Sequence, residues 1–120
     1  MSQLDGYTIY AGEWVRKVFG DEIAFNTTER NSRFLEEALE LVQALGYDKE
    51  KAHTLVDYVF SRPVGDKRQE LGGVMVTLAI LCYVNSMHMW DEGKYELNRI
   101  NIPGNIEKIK SKQKEKPKFD

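Results

Sequence analysis

The chain has 120 residues, enough for one domain, and its 42% hydrophobic and 30% charged residues are typical of a globular protein rather than a disordered or fibrous one. Its formal net charge of −2 gives no general attraction to nucleic acid or to anionic membranes. The one cysteine, Cys82, excludes an intrachain disulfide and a cysteine-rich metal site. Neither a signal-peptide pattern nor an apolar run near the roughly 20 residues that span a bilayer is present, so we expect a soluble, cytoplasmic protein.

The first half of the sequence predicts two helices and no strand. The first covers residues 4–19, ends at Gly20, and contributes core residues at helical spacing: Trp14, Val15, Val18 and Phe19. The second begins at a cap formed by Asn26, Thr27 or Thr28 and ends at Gly46. One side of this second helix is apolar, and the opposite side is polar, with Arg33, Glu36, Glu37, Glu40 and Gln43.

Two further helices are predicted on either side of a short loop at residues 61–65. The third helix starts at Asp48 and runs to about residue 60, with its apolar residues on one face. The fourth starts at Asp66, where Asp66 and Gln69 resemble a capping box, and runs to about residue 87. Beyond Gly73 the fourth helix is apolar on almost every side, a pattern typical of a helix that is fully buried. Since a chain of this length has few helices with which to enclose it, we infer that another subunit covers part of it.

The last part of the chain predicts a short helix at residues 90–99 and a final helix that starts at Asn101-Ile102-Pro103, with proline in its first turn. From Lys108 onward the sequence is rich in lysine, and we expect this basic tail, residues 108–120, to fray and to be partly flexible. A solvated tail is the default interpretation. A cationic flap that reaches a polyphosphate, through residues such as Lys108 and Lys112, is the functional alternative.

Three carboxylates on the second helix form the first candidate site. Glu36, Glu37 and Glu40 lie on one side of that helix because residues three or four apart face the same way. Repulsion between them destabilises the helix slightly, and a hard divalent cation with oxygen ligands, such as Mg²⁺, would reverse it. Taken alone, the motif is explained more simply by a solvated polar face. Arg30 and Arg33, one turn earlier, either pair with Glu37 and Glu40 or help to hold phosphate.

The fourth helix carries a second candidate acid, Glu70, on an otherwise apolar element. Either it lies in the first exposed turn, where an acid favours the helix dipole, or it is paired or bound to a metal. Gly72-Gly73 costs helix stability, so a neighbouring helix or a ligand is expected to approach the backbone there. Together these signals predict a four-helix core in which Glu37 and Glu40 of one helix and Glu70 of another hold metal ions.

These motifs, taken in order, resemble the MazG-like all-α nucleoside triphosphate pyrophosphohydrolases. The segments that carry the resemblance are ERNSRFLEEALELVQALG, AHTLVDYVFSRPVG, QELGGVMVTLAILC and ELNRINIPGNIEKIKSKQKEKP, and they look like the small single-domain members found in phages and their hosts. The resemblance implies an all-α helical bundle, one domain over residues 1–120, completed by oligomerisation as a homodimer or homotetramer. It also implies hydrolysis of a nucleoside triphosphate, with a purine deoxynucleotide such as dATP or dGTP as the expected substrate, to the monophosphate and pyrophosphate.

The resemblance also implies a set of site residues. The family's E-x-x-E pair matches Glu37 and Glu40, and the first acid of its E-x-x-D pair matches Glu70; these three are expected to bind Mg²⁺, or Mn²⁺ in its place. Glu36 joins them as a catalytic acid, and Arg33, Lys108 and Lys112 are expected to bind substrate. The second position of the E-x-x-D pair falls on Gly73, so the expected aspartate is missing, and Asp66 or a water would have to replace it.

Two other functions remain open on the sequence alone. A non-catalytic MazG-like oligomer would keep the fold and lose the chemistry with the missing aspartate. A helical module whose basic tail contacts nucleic acid would bind in a salt-sensitive way, although the net charge of −2 disfavours a nucleic-acid partner. No membrane association is expected.

Overall fold

A computed structural model of the chain describes residues 2–119, and every regular element in that range is helical. The absence of strands among these residues confirms the predicted all-α class. The seven helices are α1 (Gln3–Phe19), α2 (Asp21–Ala24), α3 (Thr27–Ala44), α4 (Lys49–Phe60), α5 (Lys67–Val84), α6 (Met89–Arg99) and α7 (Pro103–Gln113).

Most helix boundaries follow from capping residues that are visible in the sequence. Asn26 accepts the backbone N–H of Glu29 at 2.9 Å, Asp48 accepts that of Lys51 at 2.8 Å, and Asp66 accepts that of Gln69 at 3.0 Å. Each bond satisfies an N–H group that has no partner within its own helix. Gly46, at φ +92°, ends the helical conformation just after α3, as the sequence predicts. Local hydrogen bonding therefore explains these starts and stops.

Three boundaries differ from the sequence prediction. The short helix α2 follows Gly20, whose φ of +83° turns the chain after α1 without ending helical structure. Helix α5 ends at Val84 because Ser86 adopts a left-handed conformation, φ 54°, while Met87 N–H donates to the Cys82 carbonyl at 2.8 Å. A serine in that role leaves little signal in a sequence. Helix α7 continues to Gln113, five residues beyond the expected start of fraying.

The described chain divides into two compact units. The first, here called the terminal unit, comprises residues 2–33 and 89–119; the second, the middle unit, comprises residues 34–88. The terminal unit contains the buried hydrophobic residues of the described chain: Val18, Ala24 and Leu97. Of the residues predicted to form a core on α1, Val18 is buried, and Trp14, Val15 and Phe19 are half-buried.

Helix α1 is fixed within the terminal unit by aromatic side chains that bond to distant backbone. The Tyr7 hydroxyl donates to the Gly93 carbonyl at 2.8 Å, and Trp14 Nε1 donates to the Ile100 carbonyl at 3.0 Å. Tyr7 approaches so closely that a β-carbon on Gly93 would lie 3.2 Å from its hydroxyl oxygen. Burial raises the pKa of Tyr7, and the nearby charge of Glu96 raises it further. These bonds hold α1 against α6 and the turn that follows it.

The middle unit has no comparable core. Helices α4 and α5 contain no buried residue, and neither does the part of α3 that belongs to this unit. On α5, Leu71 is 70% exposed, Val76 58% and Ile80 56%. The sequence predicted that α5 would be enclosed on every side, and one copy of the chain does not enclose it, because the other helices of this unit leave its apolar surface open.

The same apolar helix bears on membrane insertion. No single helix within residues 2–119 is both long enough and apolar enough to cross a membrane. Helices α5 and α6 reach that length and composition only when they are taken together across a bend.

Candidate functional site

The acidic residues of α3 lie in the middle of a helix that is regular from Thr27 to Ala44. Glu36 is half-buried, and Glu37 and Glu40 are exposed. Since residues three and four positions apart lie on one side of a helix, Glu40 shares a face with both of the others. The acidic side that the sequence predicts for the second helix thus lies on α3, with Glu37 and Glu40 exposed to solvent and Glu36 half-buried.

Glu70 lies in the first turn of α5. This is the position expected in the first of the two interpretations of Glu70, in which an acid favours the helix dipole. Its carboxylate folds back over the preceding loop, since a β-carbon on Gly65 would lie 3.1 Å from Glu70 Oε1. Asp66 caps the helix through its bond to the Gln69 N–H. The carboxylate that the sequence offered as a substitute for the missing aspartate thus already has a structural role.

The glycine pair of α5 lies in the helix interior with open space beside it. A β-carbon at either Gly72 or Gly73 would meet nothing within 4 Å. Among residues 2–119, no other helix makes the close approach that the two glycines suggested. Within one copy, the position where the family's aspartate is expected is therefore an empty surface on the helix.

The three expected metal ligands, Glu37, Glu40 and Glu70, are not gathered into one cluster. Among residues 2–119, no group of three or more histidine, cysteine, aspartate or glutamate side chains is arranged to hold a metal ion. The donor chemistry nevertheless fits Mg²⁺ or Mn²⁺, because carboxylate oxygens are the hard ligands these ions prefer. The three residues are therefore of the right chemical type to bind either ion. Within residues 2–119, however, α3 and α5 do not bring them together.

Arg33, the first expected substrate-binding residue, lies in the terminal unit and is engaged there. Its Nη2 donates to the backbone carbonyl of Pro117 at 3.0 Å, and its Nε lies 3.3 Å from Glu29 Oε2. Lys108 and Lys112 both lie exposed on α7. Sequence reasoning missed Glu29 as a partner of Arg33, although the four-residue spacing between an acid and an arginine was a usable signal.

No family model, no curated protein and no solved structure matches the chain. What the site can do therefore follows from its own residues. Exposed carboxylates such as those of Glu37 and Glu40 can bind hard cations and accept protons, and flanking cationic side chains can bind phosphate.

Proposed function

We propose that the protein is a Mg²⁺-dependent nucleoside triphosphate pyrophosphohydrolase of the MazG-like kind, acting on a deoxynucleoside triphosphate, with dATP and dGTP as the first candidates. Glu37, Glu40 and Glu70 hold the metal in this proposal, and Glu36 acts with them in catalysis. Mn²⁺ is expected to substitute for Mg²⁺. Arg33, Lys108 and Lys112 hold the phosphates.

The observation that carries the proposal is the group of carboxylates on α3, in the same unit as Glu70. Three acids within five residues, Glu36, Glu37 and Glu40, repel one another on one face of a helix. Glu37 and Glu40 are exposed to solvent, where a divalent cation can reach them. A divalent cation would compensate their charge, and the sequence resemblance supplies the reaction in which such a set is used.

The proposal requires assembly of the protein as a homodimer or homotetramer. Burial of the exposed apolar residues of α5 against another copy would remove apolar surface from water at about 25 cal/mol per Å². The same packing must bring Glu70 to the acidic face of α3, from the same copy or from a neighbour. Assembly and formation of the metal site are thus coupled in this proposal.

The chemistry is substitution at the α-phosphorus. Bound Mg²⁺ would neutralise phosphate charge and lower the pKa of a bound water. The oxygen of the attacking water bonds to the α-phosphorus, and Glu36 accepts a proton from that water. The bond from that phosphorus to the bridging oxygen breaks, and pyrophosphate leaves with its charge balanced by Arg33, Lys108 and Lys112.

A product assay tests the proposal directly. Purified protein is incubated with each common nucleoside and deoxynucleoside triphosphate in Mg²⁺, in Mn²⁺ and in EDTA, and the products are resolved by ³¹P NMR. Monophosphate and pyrophosphate, formed only with metal, are the expected products. Orthophosphate and diphosphate would indicate a different phosphatase.

A non-catalytic helical oligomer is the second candidate, and two observations favour it. Gly73 stands where an acid is expected, and no three-residue metal cluster forms among residues 2–119. This candidate predicts nucleotide binding at most, with no metal-dependent turnover of any triphosphate in the same assay.

A further inference from the structure

Arg33, which the proposed function assigns to the phosphates, is covered by another part of the terminal unit. Its side chain is 15% exposed, and its Nη2 donates to the backbone carbonyl of Pro117 at 3.0 Å. Its Nε lies 3.3 Å from Glu29 Oε2. Bidentate recognition of a phosphate uses two parallel N–H groups of a guanidinium, with open space in front of them. A polyphosphate therefore cannot reach Arg33 in this way until the Pro117 carbonyl moves aside.

The covering segment is the stretch that follows α7, residues 114–118, here called the strap. Gln113, the last residue of α7, donates through its Nε2 to Glu29 Oε2. Lys118 Nζ donates to the Gln113 carbonyl, which folds the strap back toward the end of α7. The strap is thus attached to the start of α3 at two places: at Gln113, where it leaves α7, and at Pro117, where it meets Arg33.

The strap is held by polar contacts and buries little apolar surface. It contains no buried residue, and Phe119, directly after it, is 63% exposed. Segments with few buried apolar contacts open at a low cost in free energy, and the lids that gate binding sites are drawn from them. The strap can therefore open without disturbing the buried residues of the terminal unit.

We propose that the strap is an autoinhibitory cover on Arg33, closed in the free protein and displaced when a polyphosphate binds. Glu29 and Gln113 are positioning residues: Glu29 keeps Arg33 in place, and Gln113 holds the strap closed. Because Arg33 binds phosphate only in the proposed function, the role of the strap rests on that function. The open fraction reduces the apparent affinity for the anion, so a strap that is open about a tenth of the time weakens binding about tenfold.

Calorimetric titration with inorganic tripolyphosphate in EDTA, where no metal-dependent turnover occurs, tests the proposal. A chain that ends at Gln113 should bind tripolyphosphate about tenfold more tightly than the full chain, because the strap no longer covers Arg33. The sign is informative: residues 114–120 contain three lysines and two acids, so the loss of their charge alone would weaken binding. Gln113→Ala keeps every charge, releases one attachment of the strap and should bind about threefold more tightly.

Two further variants test whether the effect passes through Arg33. Ser111→Ala, at an exposed residue of the same helix, should bind tripolyphosphate as the full chain does. Arg33→Gln in the chain that ends at Gln113 should lose the gain, since no guanidinium is left to uncover. Circular dichroism establishes that each variant is folded. Gln113→Ala retains the whole strap, so it tests the proposal even if the shortened chain does not fold.

Equal or weaker binding by the shortened chain would overturn the proposal, and so would a gain that survives Arg33→Gln. If the shortened chain does not fold, equal affinity of Gln113→Ala and the full chain has the same force. With dATP and Mg²⁺, the KM of the shortened chain should fall by the same factor, with little change in kcat.

The two proposals fail in different ways. Tighter tripolyphosphate binding by the shortened chain, without turnover of any nucleotide, would reject the enzyme activity and support the strap. Turnover by both chains, with equal affinity for tripolyphosphate, would reject the strap and leave the enzyme activity in place.

Discussion

The terminal and middle units use hydrophobic residues in opposite ways. In the terminal unit, Val18, Ala24 and Leu97 are buried, and Tyr7 and Trp14 bond to backbone more than 80 residues distant. The middle unit contains the most continuously apolar helix of the chain, and no residue of α4 or α5 is buried. The terminal unit thus satisfies its hydrophobic residues by intrachain contacts, and the middle unit leaves them on the surface.

The two units differ in how far contacts within one chain account for their packing. Contacts within one copy are sufficient to orient the helices of the terminal unit. Exposed apolar area as continuous as that of α5 is typical of an interface, because monomeric proteins rarely leave such patches open. The expected metal ligands lie in the unit without a core, so we expect both packing and chemistry there to depend on assembly.

Glu40→Gln should have the largest effect. If the acids of α3 serve metal binding and have no role in packing, turnover should fall by at least about a hundredfold, while the helix content and unfolding temperature stay close to those of the unchanged protein. ³¹P NMR of the products and circular dichroism measure the two quantities. Glu50→Gln, an exposed acid in the first turn of α4, is the control and should retain full activity. Full activity in Glu40→Gln would reject the site.

Lysine at both Val76 and Ile80 should break the assembly. The two residues lie one turn apart on α5 and are 58% and 56% exposed in one chain. Burial of a charge in place of an aliphatic side chain should weaken self-association by about a hundredfold or more. Light scattering coupled to gel filtration measures the mass. Val64→Lys, at a loop residue that is 100% exposed, should leave the mass unchanged, and an unchanged mass in both proteins would place the interface elsewhere.

Gly73→Ala distinguishes an effect on the stability of α5 within one chain from an effect on a nucleotide or another copy that approaches this position. Since a β-carbon there meets nothing within 4 Å, alanine should stabilise the helix by up to about 1 kcal/mol. If a nucleotide or another copy approaches this position, turnover should fall by about tenfold, the equivalent of roughly 1.4 kcal/mol. Gly72→Ala has the same helix gain but points about 100° away around the helix, so it serves as the control. Equal activity in the two variants would mean that nothing approaches Gly73.

Tyr7→Phe tests the contacts that hold the terminal unit. The substitution removes the hydroxyl that donates to the Gly93 carbonyl and should lower the free energy of unfolding by about 1 kcal/mol. Urea denaturation followed by fluorescence measures it. Tyr95→Phe, at a tyrosine that is 72% exposed on α6, should have no effect. Equal stability of the two variants would show that the Tyr7 bond contributes nothing to this unit.

Glu96→Gln should have the smallest effect. The hydrogen bond from Arg99 lowers the pKa of Glu96 below its ordinary value of 4.5. A lowered pKa in the folded state stabilises the protein above the unfolded pKa, and the contribution is lost as the pH falls through the folded one. Because the pair is largely exposed, the substitution should cost only a few tenths of a kcal/mol at pH 7. The difference should shrink as the pH falls through the lowered pKa of the folded state, since the carboxyl is then protonated in both states; a difference that does not change with pH would have another cause.

The sequence was sufficient for most of the helices because their boundaries depend on neighbouring residues. Asp48 and Asp66 cap α4 and α5 by bonds to N–H groups three residues away. Gly20 and Gly46 provide the positive φ angles that follow α1 and α3. The same locality placed Glu36, Glu37 and Glu40 on one side of α3, since helix geometry alone fixes that relation.

Tertiary structure decided what no local pattern specifies. The bond between Arg33 and Pro117 and that between Gln113 and Glu29 each join residues 84 positions apart, and the bond between Tyr7 and Gly93 joins residues 86 apart. Such pairs depend on how helices are placed in space, which periodicity does not encode. The sequence by itself determined which side of each helix is apolar; only the tertiary structure decided that the terminal unit buries its hydrophobic residues within one chain while α5 remains open.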